Sequence, residues 1–176
     1  SEDGRIYRGV SYIVYGDRID DLDKTRKGVE ILQTELVDET KYGDAHYQLG
    51  FGLFVLDRLD EAVRSLETSV RLGPDVTERL NTLAQIYERL GRSPDSIGEL
   101  YRHALQVQPV SSKIRVNYGR FLETQGQSAE AIRQYRTAIQ HRPSLPTAHY
   151  NLGTALTREG DFENGEASLR RAIEPD

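Results

Sequence analysis

Side chains able to carry chemistry are few in this chain, and their spacing assembles no reaction centre. The four histidines are His46, His103, His141 and His149. None has a second His, a Cys or a carboxylate at metal-ligand spacing in sequence. Cys is absent, so there is no thiolate nucleophile and no disulfide. No Ser stands in a Gly-x-Ser-x-Gly elbow. Asp20, Asp21 and Asp23 would suit a divalent cation, but they lack the further spaced oxygen donors of a calcium loop. They read as part of a solvated acidic loop. No catalytic, cofactor-binding or metal-binding residue is therefore expected. What remains is recognition chemistry. Arg89, Lys113, Arg120 and Arg158 can meet carboxylates, and Tyr47, Phe51, Phe54 and Tyr150 offer aromatic surface. Arginines and aromatic anchors are the types that dominate binding energy at interfaces.

The elements that must position these side chains are written as a repeat. One copy holds Tyr118-Gly119, Gly126, Ala131-Ile132, Tyr135, Ala138 and Pro143. Steps of 34–35 residues lead to Leu152-Gly153, Gly160 and Ala172-Ile173, and back to Leu83-Ala84, Gly91, Ala104 and Pro109. A further step back gives Leu49-Gly50, Asp57, Ala62-Val63, Ser69 and Pro74. A fixed period of this size means stacked copies of one supersecondary unit. Within each copy the apolar residues recur at helical spacing on two stretches. The mid-repeat Gly stops the first stretch, and proline, which lacks an N–H, ends the second. The small residues at one slot on each helix let the axes approach closely. Helices are predicted near 43–56, 60–72, 77–90, 94–107, 112–125, 129–142, 146–159 and 163–174, with a preceding pair near 3–15 and 23–37.

The pattern resembles the tetratricopeptide repeat (TPR) family. The matching residues are Leu49-Gly50, Leu152-Gly153, Ala131-Ile132, Tyr135, Ala138, Pro143 and the mid-repeat glycines. Two departures stand out. The family's frequent early Trp is replaced by His46, Leu80, Arg115 and His149, and Ile97 stands where the second copy should have Ala. The resemblance implies an all-α, right-handed solenoid of antiparallel helix pairs. It covers repeats at 43–76, 77–111, 112–145 and 146–176. Residues 1–42 read as a degenerate first repeat whose A–B loop, the acidic stretch 17–24, is enlarged. The whole of 1–176 is expected to form a single TPR domain.

The resemblance also implies a concave groove lined by the first helix of each pair. Its expected partner-binding residues are Tyr47, Phe51, Phe54, Asn81, Gln85, Arg89, Lys113, Arg120, Tyr150 and Arg158. One end is aromatic and the other basic, which suits a segment with an apolar half and an acidic half. A competing reading has Tyr47, Phe51 and Phe54 pack against the N-terminal unit, whose own slots Ile6, Val10 and Ile13 are apolar. One TPR subclass clamps the C-terminal carboxylate of heat-shock chaperones. The basic residues it needs are missing here, since the slots hold Asn81, Gln85, Asn117, Thr147 and Asn151.

Composition narrows the partners. The chain has 176 residues, 29% of them charged, with a net charge of −5. A mild acidic balance argues against nucleic acid, where phosphate contacts call for a basic stripe. No apolar run reaches the roughly 20 residues of a membrane span. Compartment is not encoded. Met is absent, and the last helix ends the chain without a polar cap, which solenoids usually need. The expectation is a non-catalytic scaffold or adaptor for a protein or peptide partner. The alternative is a structural or accessory domain of a larger polypeptide, docking or self-associating end to end through its uncapped termini.

Overall fold

The computed structural model describes residues 2–37, 41–73 and 76–174. Among them the fold is all-α. The helices are α1 (Glu2–Arg18), α2 (Leu22–Glu35), α3 (Gly43–Val55), α4 (Leu59–Leu72), α5 (Thr77–Arg89), α6 (Pro94–Val107), α7 (Ser112–Thr124), α8 (Ser128–His141), α9 (Pro146–Arg158) and α10 (Phe162–Ile173). The last eight lie within one residue of the expected bounds. Pro74, expected to end α4, lies outside the described residues. Where a single array was expected, the chain forms two compact units, Ser1–Ser93 and Pro94–Asp176. The division falls in a turn that carries one residue more than its counterparts, Arg92-Ser93-Pro94.

The expected enlarged loop over 17–24 is not formed. Helix α1 runs on through Arg18 and α2 begins at Leu22, leaving a turn of ordinary length. The reason is a cap that recurs at every first-to-second helix turn. Asp20 adopts φ 54°, as Asp57 does at 60°, Gly91 at 62°, Gly126 at 72° and Gly160 at 86°. The N–H of the next residue then reaches back five positions. Asp21 donates to Gly16 O at 2.8 Å, Arg58 to Leu53 O at 2.9 Å, Arg92 to Tyr87 O at 3.0 Å, Gln127 to Leu122 O at 2.9 Å and Asp161 to Leu156 O at 2.9 Å. This is the Schellman closure, which satisfies carbonyls that a helix end leaves open. Asp is among the few residues besides Gly that tolerate this backbone region, and Asp20 takes the glycine slot. Asp21 then caps α2, its carboxylate accepting from the Lys24 N–H at 3.0 Å.

Packing within the pairs depends on close approaches at glycine, which stands on first and second helices alike. In unit 2 two such glycines are on the first helices. A Cβ on Gly119 would overlap the Tyr135 ring, and one on Gly153 would lie 2.7 Å from Leu169 Cγ and 2.8 Å from Gly165 O. In the first pair of unit 1 both helices carry glycine, with Gly9 and Gly16 on α1 approached as closely as Gly28 on α2. A Cβ on Gly28 would lie 2.7 Å from Gly9 O and 2.9 Å from Ile13 N. Ile13 fills the space that glycine vacates and is fully buried.

The cross-helix serine hydrogen bonds run in opposite directions in the two units. Ser69 Oγ donates to Gly43 O at 2.6 Å, from second helix to first, whereas Ser112 Oγ donates to Ala138 O at 2.9 Å, from first to second. The core of unit 2 centres on Tyr101, Tyr118 and Phe121, with ring centroids 5.5–6.4 Å apart.

Candidate partner-binding faces

In unit 1 the expected groove residues do not form one open surface. Tyr47, Phe51 and Phe54 are half-buried on α3, with the Tyr47 and Phe51 rings 6.5 Å apart. Asn81 is 2% exposed and so lines no open face, while Gln85 is half-buried. Arg89 is committed locally. It donates to Asp57 at 2.5 Å and lies 5.3 Å from the centroid of the Phe54 ring. Ile6 and Ile13 are core residues rather than groove residues, at 4% and 0% exposure. Helix α3 meets the first pair through Gly52, where a Cβ would stand 2.8 Å from Val29 Cγ2 and 3.0 Å from Ile13 Cδ1.

Unit 1 also contains a cation that sequence reasoning passed over. Arg79 is 4% exposed and donates to Ser69 O at 3.0 Å and to the Asp44 carboxylate. Its guanidinium lies where a side chain on Gly73 would go. Nothing in the repeat pattern marks it, because its partners come from two other helices.

In unit 2 the structure brings three of the expected residues together. Lys113, Arg120 and Tyr150 line one cavity of about 600 Å³. Val116 and Asn117 of α7 complete that wall, and Thr147 and Asn151 of α9 lie beside Tyr150. Sequence reasoning missed the rest of the lining. Arg142 and Leu145 come from the turn between α8 and α9, Pro146 from the start of α9, and Ala172 and Ile173 from the end of α10. The signal available for them was position alone, since they stand beside the closing Pro143 or at the last small slot.

The lining has three cations and no carboxylate. Arg120 and Arg142 make no ion pair among the described residues. Arg158 is not part of this cavity. It donates to Glu123 Oε1 at 3.1 Å, and Glu123 also accepts from the Tyr135 hydroxyl at 2.6 Å. Burial first, and then this carboxylate, push the Tyr135 phenol well above its ordinary value. It stays a neutral donor that anchors Glu123.

No group of three or more His, Cys, Asp or Glu able to hold a metal ion occurs among the described residues, and no helix there is long and apolar enough to cross a membrane.

Known proteins fit this architecture. A tetratricopeptide repeat model matches residues 47–112, and a TPR repeat model matches residues 124–160. The chain belongs to the tetratricopeptide repeat family. Protein O-mannosyl-transferase TMTC1 of Homo sapiens is 45% identical over 60 residues, which is 34% of this chain and 7% of that protein. The peroxisomal targeting signal receptor of Kluyveromyces lactis is 30% identical over 103 residues, 58% of this chain and 18% of the receptor. The chain thus spans a small part of these relatives. A crystal structure of MamA superposes with a TM-score of 0.76 at 17% identity, covering 90% of this chain and 91% of that one. At that identity the likeness speaks for the fold alone. These matches support a protein-interaction scaffold in general terms.

Proposed function

We propose that this chain is a non-catalytic interaction module that binds an extended segment of a partner protein along the faces of its first helices. The observation that carries this reading is the unit 2 cavity, where Arg120 and Arg142 have no ion-pair partner among the described residues and stand beside Lys113 and Tyr150. Cations left unpaired in a concave, partly apolar site are suited to a ligand rather than to the fold. A capture experiment with the chain as bait tests it. Arg120→Glu and Arg142→Glu should weaken retention of a partner. Arg133→Glu, on a helix α8 residue paired with Glu130, should not. A partner lost with Arg133→Glu and kept with the other two would move the site off the first-helix faces.

A second reading is that the module is an accessory domain of a longer polypeptide. It is favoured by the 7% and 18% of the two relatives that the chain spans. The two readings are compatible, since a domain that positions a partner can be part of a larger protein.

A further inference from the structure

Resting on that reading, we infer that the unit 2 cavity recognises a phosphorylated side chain of the partner segment, clamped between Arg120 and Arg142. Lys113 and Asn117 also line the cavity, but both are already engaged within the chain, so their groups are not available to a ligand. Arg120 and Arg142 differ from them. Both are exposed, and among the described residues neither makes an ion pair. Glu123, three positions after Arg120 on α7, is held instead by Arg158 and by the Tyr135 hydroxyl. No Asp or Glu lines the cavity.

The number and type of these cations decide the ligand. Two guanidiniums reach one small volume from two different elements, α7 and the α8–α9 turn. Both stand on long side chains open to solvent, so both can turn toward one group without moving the backbone. A carboxylate carries one charge and two oxygens, which a single guanidinium fork already occupies. A phosphoryl group carries about −1.5 to −2 at neutral pH and has three acceptor oxygens. It therefore matches two forks in charge and in acceptors alike. Arginine is also more weakly hydrated than an ammonium, which suits it to phosphate.

The rest of the lining decides what carries the phosphate. Leu145, Tyr150 and Ile173 form an apolar part of the same cavity. Tyr150 and Ile173 are 58% and 77% exposed, so both have surface left to bury. A residue beside the phosphorylated one gains by being apolar. A volume of about 600 Å³ suits a few side chains rather than a folded domain. The chain as a whole carries −5, which repels a polyanion such as a membrane surface or a nucleic acid. The site thus fits one isolated phosphate on a peptide rather than an array of them.

The test is to expose the full chain to three matched random peptide libraries, whose fixed central residue is phosphoserine, serine or glutamate, and to measure the enriched peptides in solution. The phosphoserine set should be retained, with an apolar residue enriched beside the phosphate. Removing the phosphate should weaken binding about tenfold or more, as should Arg120→Gln or Arg142→Gln, since hydrogen bonds to charged groups are the strong ones. Arg133→Gln, at a residue paired with Glu130, is the control and should change nothing. Circular dichroism of each variant checks that the helices persist. Glutamate peptides that bind as tightly as phosphoserine peptides would overturn the inference in favour of a plain acidic segment. Phosphopeptide affinity that ignores both arginine variants would overturn it too, as would no enrichment at all. Binding instead to vesicles containing phosphatidylserine, lost with the same variants, would replace the peptide by a membrane surface. Failure here is separable from failure of the interaction module. A captured partner that survives phosphatase treatment and is still lost with Arg120→Glu leaves the module standing and removes the phosphate.

Discussion

The arginines of the two units do different work. In unit 1, Arg79 is buried on Ser69 O and Asp44, and Arg89 is held by Asp57 and Phe54. In unit 2, Arg158 repeats the Arg89 arrangement, reaching back one repeat to Glu123. Among the described residues, Arg120, four positions before the end of α7, has no such carboxylate, and Arg142 has none either. The residue type at a slot does not decide its role. The neighbour supplied by another helix decides it, by using the charge for the fold or leaving it for a ligand.

The largest test of the comparison concerns the glycines at the helix approaches. Gly28→Val should cost more than about 3 kcal/mol, because Gly9 O and Ile13 N, two of the atoms it would meet, are backbone and cannot turn aside. Gly119→Ala, whose clash is with the Tyr135 ring, should cost about 1–3 kcal/mol. Urea denaturation measures both, and equal costs would show that the two approaches are not built differently.

Next is Arg79→Ala, which should cost about 1.5–3 kcal/mol by removing a buried charged donor from Ser69 O, which keeps only the Gly73 N–H at 3.0 Å. Arg120→Ala and Arg142→Ala should change stability by no more than about 0.5 kcal/mol, as unpaired surface residues do. A large loss from either would mean that the cavity's cations serve the fold after all.

The turns give smaller effects. Asp20→Gly should stabilise by about 0.5–1 kcal/mol by relieving the left-handed backbone. Asp57→Gly should gain less, because it also removes the partner of Arg89. If both gain equally, the Arg89–Asp57 pair contributes nothing.

The Asp21 carboxylate is held below its ordinary value, first by the Lys24 side chain and then by the Lys24 N–H. A depressed carboxylate contributes stability above its unfolded value of about 4, and the contribution is lost as pH falls through the folded value. The difference in melting temperature between wild type and Asp21→Asn should therefore be present at pH 7 and shrink below about pH 4. A constant difference down to pH 2 would rule out the charge as its source.

The sequence by itself determined the elements. A 34–35-residue period, helical apolar spacing and glycine stops are local properties, and each helix boundary follows from backbone sterics and hydrogen bonding within a few residues. Even the misread stretch at 17–24 had a local explanation, since Asp20 occupies the slot of Gly91, Gly126 and Gly160. Tertiary structure decided which charges are used. Arg79 is buried by helices more than one turn away in sequence, Arg158 is claimed by Glu123 from the preceding repeat, and Arg142 joins Lys113, Arg120 and Tyr150 only because the α8–α9 turn folds against α7. Pairing depends on distance in space, and a one-dimensional period reports which face a residue takes without reporting which carboxylate stands opposite it.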